Sequence, residues 1–239
     1  MLASMNFEAQ SKNELIRVLS ESDISVLPRG AGRTNDQVEK WIMYRALSTL
    51  CANGLLEYPL SLIKRERPDF LLLCAGKMIG CEVTEAVNGE YLKAKSLSEA
   101  AKENSIVDVS KFKWGIPKRS LEALREIASK DKLTGTGWMG NSVEIEFSQL
   151  VFDVAIRKSE TLNKPGFGKF QSNYLLIYCN QPLPILDIEE GSEICHKQLA
   201  SYWSDITFDQ ILVEKGDNIV VFTSTHYRVF KLSDLWANG

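Results

Sequence analysis

The chain has 239 residues, 44% hydrophobic and 25% charged, which is ordinary globular composition and excludes a disordered chain. Lysine plus arginine number 28 against 31 aspartates plus glutamates, a formal net charge of −3. That balance excludes a uniformly basic nucleic-acid coat but leaves room for a local basic groove. The length suits a single domain over residues 1–239, with room for an insertion. The five cysteines are odd in number and form no Cys-x-x-Cys, so reduced, buried thiols in a cytoplasmic protein are expected. The apolar runs are too short for a membrane span, and the acidic first segment, without a long apolar stretch, does not read as a signal peptide.

Residues 12–20 carry Leu15, Ile16, Val18 and Leu19 and predict a short helix. Pro28–Gly32 reads as a loop. Thr34 and Gln37 have capping-box spacing, so a helix starts there and runs to about Cys51, stopping before the Asn53-Gly54 turn signal. Its apolar stripe is Ile42, Met43, Ala46, Leu47 and Leu50. Strands are expected at Leu55–Ile63, Phe70–Cys74 and Met78–Thr84, the last two joined as a hairpin through Ala75-Gly76-Lys77. Phe70–Leu73 is apolar on both faces, as in a central strand. Residues 88–142 read as an insertion, with helices near 91–104 and 120–130 and a glycine-rich loop at 135–140. A helix at roughly 143–162, a loop through Pro165–Gly168, a strand at Tyr174–Cys179 and a helix near 191–203 follow. A hairpin of Gln210–Val213 with Ile219–Thr223 and a last strand, Tyr227–Leu232, complete the chain. The expected class is α/β, a mixed central sheet flanked by helices with an inserted helical lobe.

The most informative segment runs from Arg65-Glu66-Arg67-Pro68-Asp69 to Glu82-Val83-Thr84. Asp69 stands where a loop enters an apolar strand, and Glu82 lies inside the next one. Strand alternation puts Glu82 and Thr84 on one face, Cys81 and Val83 on the other. A carboxylate in such a strand is costly unless it is paired or binds a cation. Two acids meeting across a hairpin repel, and a divalent ion relieves the repulsion. Glu39 shares a helix face with Met43, Ala46 and Leu50 and offers a third acid. Structural readings stand beside these. Asp69 can begin a strand by bonding nearby backbone, and Glu39 suits the first turn of a helix.

A helical Glu, a Pro-Asp at a strand start and a Glu-x-Lys triplet on the next strand form the pattern of the PD-(D/E)XK nuclease superfamily. This chain resembles it through Glu39, Pro68-Asp69 and Glu82-Val83-Thr84, with Thr84 in place of the lysine. The resemblance covers residues 34–84, and to a lesser extent 143–180. It implies a restriction-endonuclease-like core, Mg²⁺ or Mn²⁺ held by Asp69, Glu82 and the Val83 carbonyl, and Glu39 on a second ion or one of its waters. It further implies hydrolysis of phosphodiester bonds, in DNA rather than RNA. Some members supply the lysine from the following helix. Here Lys158 extends the face of Phe147, Val151 and Val154 and is the leading replacement; Lys164, Lys77 and Arg67 are the other bases considered. The reading requires residues 39, 69 and 82 to gather in one cation pocket.

Arg65, Arg67 and Lys64 adjoin this segment, and Lys111, Lys113, Lys118 and Arg119 cluster in the insertion. Both sets are candidates for phosphate contacts, or else solvated faces. Trp114 and Trp138 can stack on bases or pack as a lid. The loop at 135–140 lacks the Gly-Lys-Ser/Thr of a phosphate-binding P-loop, and His196 and His226 lack metal-ligand spacing. Two other classes stay open: a nuclease-fold binding module with lost or weakened catalysis, for which Thr84 is the argument, and a small-molecule enzyme with its site in the insertion. A homodimer pairing through the C-terminal hairpin is compatible with the sequence.

Overall fold

A computed structural model of the protein describes residues 5–100, 106–129 and 133–236. Among the described residues eight strands form one mixed sheet whose spatial order follows the chain. They are β1 (Phe7–Ala9), β2 (Leu60–Lys64), β3 (Phe70–Cys74), β4 (Lys77–Ala86), β5 (Ser172–Cys179), β6 (Gln210–Lys215), β7 (Asn218–Phe222) and β8 (Tyr227–Lys231). The helices among the described residues are α1 (Lys12–Ser20), α2 (Asn35–Ala52), α3 (Gly89–Ala100), α4 (Leu121–Ser129), α5 (Ser142–Leu162) and α6 (Ile188–Ser201). The pairs β4–β5 and β5–β6 are parallel and every other pair is antiparallel.

That topology decides the layering. The two parallel steps move across the sheet in the same direction, and right-handed crossovers then put both connecting helices on one face. Accordingly α5 and α6 share a core with Leu175, Ile177, Ile211 and Val213. The opposite face carries α1 and α2, with Ile42, Met43 and Leu47 packed on Phe70, Leu72, Cys81 and Val83. The capping box at Thr34 is present in both halves and fixes where α2 begins.

The β3–β4 hairpin turns on Ala75-Gly76, both with positive φ (47° and 82°). This is the backbone of the turn whose twist matches paired strands. A Cβ on Gly80 would come 2.7 Å from the Phe170 ring and 3.2 Å from Pro68. Glycine there lets the α5–β5 loop close over the β2–β3 loop. The two loops are also joined by Arg65 over the Phe170 ring at 5.5 Å and Arg67 over Phe167 at 5.2 Å. Between β4 and α5, Tyr91, Phe112 and Leu124 build a small separate cluster around α3 and α4.

The structure departs from the sequence expectations in places. Residues 55–59 are not strand: Leu55 N–H closes the exit of α2 on the Leu50 carbonyl, and the strand starts after Pro59, which has no N–H to give. The strand expected at Met78–Thr84 extends to Ala86 because β5 supports it along its full length. Strand β1 was not anticipated; three residues are too few for a periodic signal. The ends of the helices expected to reach 104 and 130 fall outside the described residues.

All five cysteines are free and buried. No helix among the described residues is long and apolar enough to cross a membrane.

Candidate functional site

The site originates in a mismatch of strand lengths. Strand β3 starts at Phe70, opposite Cys81, whereas β4 continues to Ala86 paired only with β5. This leaves an open notch along residues 82–86, outside the carboxyl end of the first parallel strand. Such positions are where open α/β sheets bind ligands.

Asp69 fills the start of the notch, its Oδ2 accepting the Val83 N–H at 2.7 Å. The N–H and C=O of a strand residue point to the same side, so the Val83 carbonyl also opens to the notch. Glu82 follows Cys81 and faces the α5 side beside its register partner Leu175. It is 8% exposed. One of its oxygens, Oε1, accepts Lys158 Nζ from α5 at 2.8 Å. The other, Oε2, is buried without a partner among the described residues. Burial, then the charge of Glu82, and further the charge of Glu39, push the Asp69 carboxyl from 3.8 to about 7, against the Val83 hydrogen bond and Lys158, which lower it.

Glu39 arrives from the other face of the sheet. Its Oε2 accepts Lys64 Nζ at 2.5 Å, and the same ammonium lies 3.5 Å from Asp36. Burial alone would lower the Lys64 pKa; the hydrogen bond and charge of Glu39 outweigh it, so the ammonium is held above its ordinary value. Glu39 is therefore neutralised by Lys64, while its charge still reaches Asp69. Among the described residues no three His, Cys, Asp or Glu side chains are grouped to hold a metal. Strand alternation turns Val83 to the α2 side and Glu82 to the α5 side, so Glu39, which lines the cleft with Val83 and Lys158, approaches from the face opposite Glu82.

A cleft of about 480 Å³ runs past the notch, lined by Arg29, Arg33, Glu39, Val83, Thr84 and Lys158. Arg29 and Arg33 both contact Glu85 Oε2, at 2.6 and 3.0 Å, while Asn180 Nδ2 donates to Glu85 Oε1 at 2.7 Å. These four residues were missed in the sequence. The available signal was a pair of arginines in a loop that also holds Gly30 and Gly32.

Of the candidate lysine replacements, Lys158 meets Glu82. Lys164 is exposed, Lys77 pairs with Glu57 at 3.8 Å at the far end of the hairpin, and Arg67 lies over Phe167. Of the phosphate candidates, Arg65, Arg67 and Lys118 are exposed. Lys113 donates to the Gly137 carbonyl at 2.8 Å and lies over the Trp138 ring. Arg119 is bound to Glu90 at 3.2 Å and to the Lys111 carbonyl, and it covers Phe112. Trp114 and Trp138 also belong to the packing, donating to Asp153 and Glu146 at 2.8 and 2.7 Å.

Asp69, the Val83 carbonyl and the orphaned Glu82 Oε2 are hard oxygen donors, and the two acids repel each other. That donor set fits Mg²⁺ or Mn²⁺ better than zinc. Comparisons with protein-family models, curated proteins and solved structures return no match for this chain.

Proposed function

We propose that this chain is a metal-dependent nuclease hydrolysing phosphodiester bonds in DNA. It would do so on a restriction-endonuclease-like core whose motif lysine has moved from position 84 to Lys158 on α5. The carrying observation is the contact between Lys158 Nζ and Glu82 Oε1 at 2.8 Å, beside Asp69 and an unpartnered buried oxygen. A threonine at 84 can neither carry positive charge nor hold a water by an ammonium. Lys158 brings that group to the same strand face from a different element.

Asp69 and Glu82, with the Val83 carbonyl, would hold the ion, which when bound supplies Lewis-acid stabilisation of a phosphoryl oxygen and lowers the pKa of a water. Lys158 would orient the attacking water and neutralise charge developing on phosphorus. Arg29 and Arg33 would take the strand's phosphates, exchanging the Glu85 carboxylate for a phosphate of similar hydrogen-bonding geometry. Exposed Arg65, Arg67 and Lys118 would add sequence-independent attraction.

The second reading, a nucleic-acid-binding module without cleavage, is favoured by the ion pairs Glu39–Lys64 and Glu82–Lys158, which already neutralise two of the three acids. Incubating purified protein with plasmid and single-stranded DNA in Mg²⁺ or Mn²⁺ separates them. Cleavage that Glu82→Gln and Asp69→Asn each abolish supports the nuclease. DNA binding without cleavage, unaltered by both substitutions, rejects it.

A further inference from the structure

Beside the cleft lies a larger cavity of about 800 Å³, within the range of roughly 300–1,000 Å³ typical of small-molecule sites. Arg33 and Val38 line both spaces, so the two adjoin. The cavity lies outside the carboxyl end of β5, where Tyr178 and Asn180 reach it. Its other aromatic walls are Trp41 from α2 and Trp236 from the C-terminal segment.

These walls are fixed in place. Trp41 and Tyr178 meet edge to face with centroids 4.8 Å apart. The Arg45 guanidinium lies 4.4 Å over the Trp41 ring and is itself held by Glu214 at 3.0 Å and Asp234 at 2.7 Å. Trp236 Nε1 donates to the Ser22 carbonyl at 3.0 Å. All three rings are partly exposed. Three ring faces held at a surface cavity offer apolar area on which a flat aromatic ligand can stack. The Asn180 amide, held by Glu85, and the Asp234 carboxylate, held by Arg45, make part of the wall polar, which suits a heteroaromatic ring better than a hydrocarbon. The guanidinium shared with the cleft supplies the phosphate contact such a ligand would bring.

We infer that this cavity is a base subsite, taking one unpaired nucleobase of a DNA strand whose adjacent phosphate lies against Arg29 and Arg33. A base held in a duplex cannot enter, so the substrate class is single-stranded or frayed DNA. The inference rests on the nuclease reading and adds the substrate to it.

The test measures binding to the Glu82→Gln protein in Ca²⁺, so that no strand is cut. The probes are a short labelled single strand, the same strand with one nucleotide at a time made abasic, and the blunt duplex. Base stacking is worth about 1–3 kcal/mol, so one abasic position should weaken binding roughly 5- to 150-fold and the duplex should bind at least as poorly. Tyr178→Leu should weaken the intact strand by a similar factor and leave the critical abasic strand within about twofold. Trp236→Phe, which keeps a ring, should retain binding, and deoxyadenosine monophosphate should quench tryptophan fluorescence less in that variant. Equal affinity for duplex and single strand, indifference to every abasic position, or equal losses on both strands in Tyr178→Leu would overturn the subsite. If the wild-type protein cuts DNA while Tyr178→Leu changes nothing, the subsite falls and the nuclease stands. If the wild-type protein binds with these preferences but never cuts, the subsite stands and the nuclease falls.

Discussion

Replacing Asp69 by Asn removes a charge from a place where charge is costly. Burial and the neighbouring Glu82 lift the Asp69 carboxyl from 3.8 to about 7, a gap worth about 4 kcal/mol between its two protonation states. The folded protein therefore keeps a proton that the unfolded chain has lost. The contribution to stability is fully present below about pH 4 and is lost as pH rises through about 7. Asn is neutral at every pH, and its Oδ1 can still accept the Val83 N–H. Allowing for relaxation and water entry around a group that is not fully buried, Asp69→Asn should be near neutral at about pH 4 and stabilising by about 2–4 kcal/mol at about pH 8. For a chain of this size that is about 5–15 °C in melting temperature. Urea titrations of both proteins in chelator across this pH range read the difference directly, because groups common to both cancel. Adding Mg²⁺ should then stabilise the wild type and leave the variant unchanged. A variant that is less stable at about pH 8, or offset equally at both ends, would falsify the strained-carboxylate argument.

The same carboxyl predicts proton release. At about pH 6 Asp69 is mainly protonated, so Mg²⁺ binding should release close to one proton, falling towards zero near pH 9, and none in Asp69→Asn; calorimetry in buffers of different ionisation enthalpy counts it. Lys158→Met should leave Glu82 buried and unpaired, costing about 2–4 kcal/mol of stability, with cleavage reduced by about 100-fold or more; Lys158→Met with Glu82→Gln should recover much of the stability and none of the activity. Arg33→Ala should raise KM for DNA about tenfold with kcat nearly unchanged, and lower the slope of log affinity against log salt by about one. Arg119→Ala should instead destabilise the α3–α4 region by about 1–3 kcal/mol and leave the salt slope alone, since that guanidinium is already spent on Glu90 and Lys111.

Much of this arrangement was legible in the sequence because it is local. The capping box at Thr34, the hairpin about Ala75-Gly76 and the apolar runs at Phe70 and Leu175 each follow from neighbours in the chain. An acid inside an apolar strand draws notice for the same reason: burying a charge costs free energy wherever the strand ends up. Lys158 was found by helical periodicity, which says which way a side chain points.

What periodicity cannot say is which face of a sheet a helix covers. Glu39 lies on the inward side of α2 as expected, yet α2 and α5 cover opposite faces of the sheet, so Glu39 pairs with Lys64 while Lys158 pairs with Glu82. Arg119 and Trp114 looked available because their partners, Glu90 and Asp153, are about thirty to forty residues away in sequence. The pairing of Arg29 and Arg33 with Glu85 spans more than fifty residues, and the cavity beyond them exists only because α2, β5 and the C-terminal segment converge. The sequence alone determined most of the elements and the acids that burial would strain, since propensity and desolvation act residue by residue. The tertiary structure alone decided which of those groups meet, because that depends on strand register and on the hand of each crossover.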